Sequence, residues 1–300
     1  MRALVTGARG FVGPHLCAHL RDEGDDVVAL DRADGLDVTD PDGVRTALAR
    51  HIPDVVYHLA ARSHVGESWA DPTAVLRVNV EGTLHVVRAA HDVGASRVVV
   101  IGSAEAYGAV PPERLPITED EPLRPTSPYG ASKAAAEIVA LQLFRAVGVG
   151  VVCVRPFNHV GPGQSTRFVV PALAERVARA EVSGADEITI GSTAPVRDIT
   201  DVRDIVRAYR LLAIAAEPGT VANVCTGRGT AVADVLGHFL ARARVPLVAR
   251  TDPELVRPVE IPVSVGDPSR LVAATGWAPR FSLDETLDAV LDEARGRVSS

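Results

Sequence analysis

The chain has 300 residues, 31 of them basic and 38 acidic, for a formal charge of −7. That length allows one large domain or two ordinary ones around a substantial core. Mild acidity without a basic block argues against nucleic acid and anionic membranes as main partners. The basic residues divide into 30 arginines and a single lysine, Lys133, so that one ammonium calls for a local reason.

Cys17, Cys153 and Cys225 are too few and too widely spaced for a disulfide framework or a Cys-x-x-Cys metal knuckle. The chain opens directly on a motif, without a charged leader and apolar core, and no run approaches 18 apolar residues. A cytoplasmic protein is expected.

In chain order, Arg2–Thr6, Val27–Asp31, Asp54–Ala60, Arg97–Ser103 and Val149–Pro156 read as strands. Helical patterns lie between them at Asp40–Arg50, Glu81–Gly94 and Tyr129–Gly148. Strands alternating with helices predict a parallel, doubly wound sheet, and continuous apolar runs such as Val98-Val99-Val100-Ile101 place helices on both of its faces. Residues 110–128 hold six prolines and are expected to form a loop.

After Pro156 a Gly/Pro-rich segment, Asn158–Gln164, leads into helix Phe168–Ala180, strand Glu187–Gly191, helix Asp201–Ala216, strand Val221–Cys225 and helix Ala231–Arg244. Arg250–Pro262 is polar and punctuated by proline, and Asp267–Gly276 and Ser282–Arg295 close the chain as helices. The fold class is therefore α/β, a doubly wound Rossmann-type sheet with a smaller C-terminal α+β unit.

Thr6-Gly7-Ala8-Arg9-Gly10-Phe11-Val12-Gly13 follows a strand and opens a helix, the context in which a Gly-x-x-Gly-x-x-Gly string puts a pyrophosphate at a helix N-terminus. Asp31 lies 18 residues beyond Gly13 at the end of the next strand, where a carboxylate accepts both adenosine ribose hydroxyls and repels a 2′-phosphate. NAD(H) is favoured on that ground. Arg9 and Arg32 could each reach a 2′-phosphate if the acid turned away, which keeps NADP(H) open.

Tyr129-Gly130-Ala131-Ser132-Lys133 opens the long helix, and i to i+4 spacing puts the phenol and the only ammonium on one face. A free phenol titrates near 10, and lowering it by about three units would take about 4 kcal/mol, which a close ammonium, the positive nicotinamide ring and a helix N-terminus together can supply in a poorly solvated cleft. A compact ammonium also does what a planar guanidinium cannot. The bland alternative is a solvated lysine beside a half-buried tyrosine. Ser103 closes its strand at the sheet edge where doubly wound folds place their chemistry, within reach of the oxygen that Tyr129 would serve.

Other chemistries have little to stand on. His15 and His19 share a helix face but lack a third ligand, so no metal is expected. No Gly-x-Ser-x-Gly nucleophile elbow occurs, and 4% aromatic content is too sparse for base stacking.

These residues, with Tyr57–Ala61, Val78–Thr83, Ser103–Gly108, Arg155–His159 and Val196–Val202, make the chain resemble the extended short-chain dehydrogenase/reductases. The resemblance lies with their nucleotide-sugar epimerases, dehydratases and reductases, and it runs over essentially all 300 residues. It implies a dinucleotide-binding domain over residues 1–157, with a return around 196–224, and a nucleotide-sugar-binding domain mainly over 158–300.

It further implies a catalytic set of Ser103, Tyr129 and Lys133. Glu105 would join them if the reaction includes dehydration. The implied cofactor contacts are Gly7, Arg9, Gly10, Phe11, Val12, Gly13, Asp31 and Arg32, then Asp37 and Val38 after a short third strand. Leu59, Ala60, Ala61, Ser63, Asn79, Pro156, Tyr129 and Lys133 complete them.

Asn158, Arg197, Arg257 and Glu260 would bind the nucleotide diphosphate and ribose of the substrate. Ala104 departs from the hydroxyl residue common at its position. Gly161-Pro162-Gly163-Gln164 leans toward reduction of the 4-keto group of a nucleotide-linked 4-keto-6-deoxyhexose, of the GDP-4-keto-6-deoxymannose type. 4,6-dehydration, 4-epimerisation, or a silent NAD(P)-binding regulator are the alternatives. The resemblance also implies pairing through a four-helix bundle of the helices Glu81–Gly94 and Tyr129–Gly148, so a homodimer or homotetramer is expected.

Overall fold

A computed structural model describes residues 1–252, 255 and 261–299. Its first half is β1 (Arg2–Thr6), α1 (Val12–Asp22), β2 (Asp26–Leu30), α2 (Pro41–His51), β3 (Val55–His58), the short helices α3 (Val65–Ser68) and α4 (Pro72–Leu76), then α5 (Gly82–Asp92), β4 (Arg97–Ile101), α6 (Pro128–Val147) and β5 (Val151–Pro156). The five strands pair in parallel in the order β2-β1-β3-β4-β5.

Alternation along each strand feeds two cores. Ala3 and Val5 of β1 point to the face covered by Leu16 and Leu20 of α1. Leu4 between them points to the other face, where Val44 and Leu48 of α2, Val86 and Ala90 of α5 and Ala140 of α6 pack. Val98, Val99 and Val100 are buried throughout, as a strand covered on both sides must be.

The second half adds β6 (Asn158–Val160), α7 (Val169–Ser183), β7 (Glu187–Ile190), β8 (Val196–Asp201), α8 (Val202–Ala215), β9 (Val221–Val224), β10 (Gly229–Ala231), α9 (Val232–Ala241), β11 (Val248–Thr251), β12 (Val263–Ser264), α10 (Ser269–Thr275) and α11 (Leu283–Val298). β9 pairs with β5 and makes the first sheet six-stranded. Ile205, Tyr209 and Leu212 of α8, Leu271 of α10 and Trp277 share the core of α1. The body of the first sheet thus draws on both sides of 157: α8 and β9, and beyond them α10 and Trp277, pack on it. A separate core joins α7, α9 and α11 over β7.

Three local readings differ from the structure. No third strand precedes Asp37 and Val38: Arg32–Asp34 is a 3-10 turn and Gly35 takes φ +88°, because Asp-Arg-Ala-Asp-Gly offers no β-branched run to extend the sheet. β4 stops at Ile101, so Ser103 stands beyond the strand and caps the 3-10 turn Ala104–Ala106. Val196–Asp201, carried only as a motif, is the strand to which β10, β12 and β6 all pair.

Candidate active site

Gly7 has φ +69°, and a Cβ there would lie 2.6 Å from the Ala60 amide nitrogen; one at Gly13 would run into the Ala8 carbonyl. Only glycine lets the β1 loop lie against the end of β3 and α1 start so close to it, and that start opens into the cavity. The donor set and the bare backbone fit a pyrophosphate.

Behind the loop, the Thr6 hydroxyl meets His58 Nδ1 at 2.8 Å and accepts from the Ala60 amide, while His58 Nε2 lies 3.2 Å from the Thr83 hydroxyl. Thr83 gives its only hydroxyl proton to the Asn79 carbonyl, so His58 donates from Nε2 and accepts at Nδ1. Burial, and secondarily the Lys133 charge, push this imidazole down to about 3, so it is a neutral spacer.

Asp31 accepts from the Arg9 amide at 3.2 Å and the Ala33 amide at 3.4 Å and faces the cavity. Both nearby guanidiniums turn elsewhere: Arg9 pairs with Asp34, and Arg32 stands 3.8 Å from Asp37. The Arg9 side chain does not line the cavity, whereas Arg32, Asp37 and Val38 do.

Ser127 caps α6, accepting from the Gly130 amide at 3.0 Å, and Pro128 takes the first helical position, so Tyr129 and Lys133 fall in the opening turns. Ser103 and Tyr129 both face the cavity, and the Ser103 side chain acts to lower the Tyr129 phenol. Lys133 Nζ donates to the Ile101 carbonyl at 2.6 Å and sits 6.0 Å from the Tyr129 ring centre.

This chain's own groups do not by themselves lower the phenol. Burial pushes Tyr129 up to about 12, with the Ser103 side chain opposing and the Glu105 charge adding, and burial pushes Lys133 down to about 8. Desolvation outweighs an ammonium that spends its donor on a carbonyl. At neutral pH both groups keep their protons.

Two buried networks hold these residues. Asn79, in a π turn at Arg77–Glu81, does not line the cavity: its amide accepts from the Arg62 amide at 2.8 Å and donates to Ser132 Oγ at 2.8 Å, and Ser132 bonds the Tyr129 carbonyl. It stands behind the cavity wall and positions α6 through Ser132. Arg155 makes a two-pronged pair with Glu137 (2.8 and 2.6 Å) and donates to the Tyr107 hydroxyl at 2.8 Å, which donates to Asn223. This props the Ser103–Gly108 turn from below.

The glycine loop, Asp31, Ser103, Tyr129 and Lys133 border one cavity of about 1090 Å³, at the upper end for a single small ligand and roomy enough for two. Gly10, Phe11, Val12, Leu59, Ala61, Ser63, Pro156 and Glu105 line it on the first-sheet side, and Asn158 and Arg197 on the other. Asp198, beside Arg197, is fully buried and accepts from Thr226, Gly227 and Gly266, tying two loops under that wall. Arg257 and Glu260 lie outside the described residues.

Two wall residues escaped the sequence reading as site candidates. The Tyr209 hydroxyl and the Gln164 side-chain carbonyl are buried without a hydrogen-bond partner among the described residues. Orphaned groups on a cavity wall point to a ligand, but a tyrosine inside an amphipathic helix gives no warning of it. Arg176 also faces the cavity. Among the described residues no cluster of His, Cys, Asp or Glu could hold a metal.

A family model described as NAD dependent epimerase/dehydratase family matches residues 3–225. The chain belongs to that family and is an NAD(P)-dependent enzyme. It is 36% identical over 299 residues to the GDP-6-deoxy-D-mannose reductase of Pseudomonas aeruginosa, covering 99% of this chain and 98% of that one. The structure of RMD from Pseudomonas aeruginosa complexed with NADPH superposes with a TM-score of 0.91 at 34% identity, covering 99% and 100% of the two chains. The Thermus thermophilus UDP-glucose 4-epimerase with NAD gives 0.88 at 32% identity, covering 99% of both chains.

Proposed function

We propose that the protein reduces the 4-keto group of a GDP-linked 4-keto-6-deoxyhexose, converting GDP-4-keto-6-deoxymannose to GDP-D-rhamnose. The observation that carries this reading is geometric: Ser103, Tyr129 and Lys133 line the same cavity as the glycine loop and as Asn158 and Arg197, and the buried phenol keeps its proton. A reduction needs that proton in place at the start. The full-length likeness to an enzyme named GDP-6-deoxy-D-mannose reductase supports the substrate.

NAD(P)H, when bound along the glycine loop, supplies hydride to C4 of the sugar. As electrons move onto the carbonyl oxygen, Ser103 stabilises the developing alkoxide and Tyr129 gives it a proton. The phenolate, conjugate to an acid of about 12, takes a proton from the Lys133 ammonium of about 8, a downhill transfer, and the amine refills from solvent. Asn158 and Arg197 hold the diphosphate, and Asp31 favours NAD(H), with NADP(H) accepted through movement of Arg9 and Arg32.

Glu105 gives a second reading some support: it lines the cavity, and its charge acts on Tyr129. A carboxylate there suits proton removal from C5 during a 4,6-dehydration, and a 4-epimerisation would use the same three residues. A homodimer or homotetramer through α5 and α6 fits Ile138, 60% exposed on α6, and a cytoplasmic location fits the absence, among the described residues, of a helix able to cross a membrane.

Stoichiometry separates the readings. With GDP-4-keto-6-deoxymannose and one equivalent of NADH or NADPH, the reductase consumes the nicotinamide absorbance mole for mole as deoxyhexose appears. Unchanged absorbance with product formed from GDP-mannose or another nucleotide hexose would assign a dehydratase or epimerase. Cofactor binding without turnover on any nucleotide sugar would assign a regulator.

A further inference from the structure

Six arginines line the cavity, and five are tied down. Arg32 pairs with Asp37, Arg62 with Asp71, Arg77 with Glu81 and Arg167 with Glu67. Arg197 donates to the Val196 and Pro262 carbonyls. Arg176 has no hydrogen bond or ion pair among the described residues, although it is partly buried. A guanidinium carries five donors in a fixed plane, so one left free on a cavity wall is poised for a ligand.

Its place along the wall says which part of the ligand. Val169, Leu173 and Arg176 follow i, i+4, i+7 on α7 and face the cavity together. At 1.5 Å per residue, Arg176 stands roughly 10 Å further along the helix than Val169. The start of α7 follows the 158–168 segment, which leaves β5 beside β4 and next to the Ser103 turn, with Phe157 packed on Tyr107. The far end is walled by Leu173, Ile190, Val232 and Val235, aliphatic residues of the α7 and α9 core.

A nucleotide sugar with its hexose at Tyr129 extends through two phosphates and a ribose before its base, the last group and the one that suits an aliphatic slot. A phosphate would lose its solvation there. Guanine presents two neighbouring acceptors, O6 and N7, on one edge, the pattern that a guanidinium fork meets with two parallel bonds. Uracil and thymine offer a single O4 beside an N–H donor, and adenine replaces O6 with an amino donor.

We propose that Arg176 reads the O6/N7 edge of guanine and sets the enzyme's preference for GDP-linked over UDP-, dTDP- and ADP-linked sugars. The inference rests on the GDP-linked substrate proposed above.

Calorimetric titration of the NADP⁺-loaded full chain with GDP, 7-deaza-GDP, UDP and dTDP tests it. Wild-type protein should bind GDP at least tenfold more tightly than the others, 7-deaza-GDP included. Arg176→Leu should weaken GDP about tenfold while leaving UDP and dTDP within threefold, and Arg176→Lys should also lose the preference for GDP over 7-deaza-GDP. Equal weakening of GDP and UDP in Arg176→Leu would overturn the assignment and leave the GDP reading standing on the wild-type preference. A wild type that discriminates against UDP but binds 7-deaza-GDP as well as GDP would also overturn it, without any variant having to fold. A wild type that prefers UDP or dTDP would overturn the GDP reading itself.

Discussion

The two walls of the cleft are built differently. On the first-sheet wall the ligand-facing surface is largely main chain and near neighbours in sequence: Gly7 against Ala60, the start of α1, Asp31 at the end of β2, and Tyr129 with Lys133 one helical turn apart. On the other wall single side chains arrive from separate elements, Asn158 from β6, Arg176 from α7 and Arg197 from β8. A wall made of backbone approach tolerates few substitutions and leaves a dense motif. The other wall can change one residue at a time, and with it the substrate, while the chemistry stays.

The largest effect expected on the first wall is that of Tyr129→Phe. Without the proton donor, kcat should fall by roughly 10²–10⁴, while NAD(P)H affinity measured by calorimetry stays within threefold. Retained turnover would move the proton to another group, Glu105 being the nearest candidate. Lys133→Arg keeps the charge but should lose most activity, because a planar guanidinium cannot occupy the same buried place beside the Ile101 carbonyl.

Gly7→Ala probes the backbone contact itself. The new Cβ would meet main-chain atoms of residue 60 that have no room to retreat, in a left-handed conformation. A loss of about 3 kcal/mol in urea unfolding is expected, from overpacking and the αL penalty together. Arg176→Leu and Arg197→Ala, on the side-chain-built wall, should each cost under about 1 kcal/mol. Equal costs on the two walls would erase the distinction between them.

Asp31→Ala should act more mildly. It removes the carboxylate that disfavours a 2′-phosphate while Arg9 and Arg32 stay close by, so the NADH to NADPH affinity ratio should shift about tenfold toward NADPH. An unmoved ratio would mean that discrimination lies elsewhere along the cofactor path.

This contrast governs what could be read from the sequence. The glycine loop, Asp31 and the Tyr129 and Lys133 pair are local spacings on a strand, a turn and a helix, and they need no tertiary information. Lys133 was further marked by being the one lysine of the chain. The pieces around β8 are two to six residues long and pair with partners up to about 70 positions away, so their pattern carries no period. Arg176 is one arginine among thirty, and only packing decides that it faces the cavity with no partner among the described residues. Asn79 was legible as a motif residue, but its place behind the wall was not. The short strand expected before Asp37 and Val38 is absent because a loop beside an edge strand can reach a ligand without extending the sheet.

Lys133 also offers the smallest and most specific test, because its burial should appear in stability as well as in rate. Burial holds the folded ammonium near 8, against an ordinary 10.5. Between those values the unfolded chain binds the proton and the folded chain does not, so stability should rise as pH increases from about 8 to 10.5. Integrated over that window the gain is about 3 kcal/mol. Below pH 8 the full desolvation cost is present, so Lys133→Met should be more stable than wild type at pH 7, should lack the rise, and should be inactive. Urea unfolding of both proteins at pH 7, 8, 9 and 10 reads the difference directly. A difference independent of pH would mean that the ammonium is solvated, and a solvated ammonium would not be the proton source that a buried phenol needs.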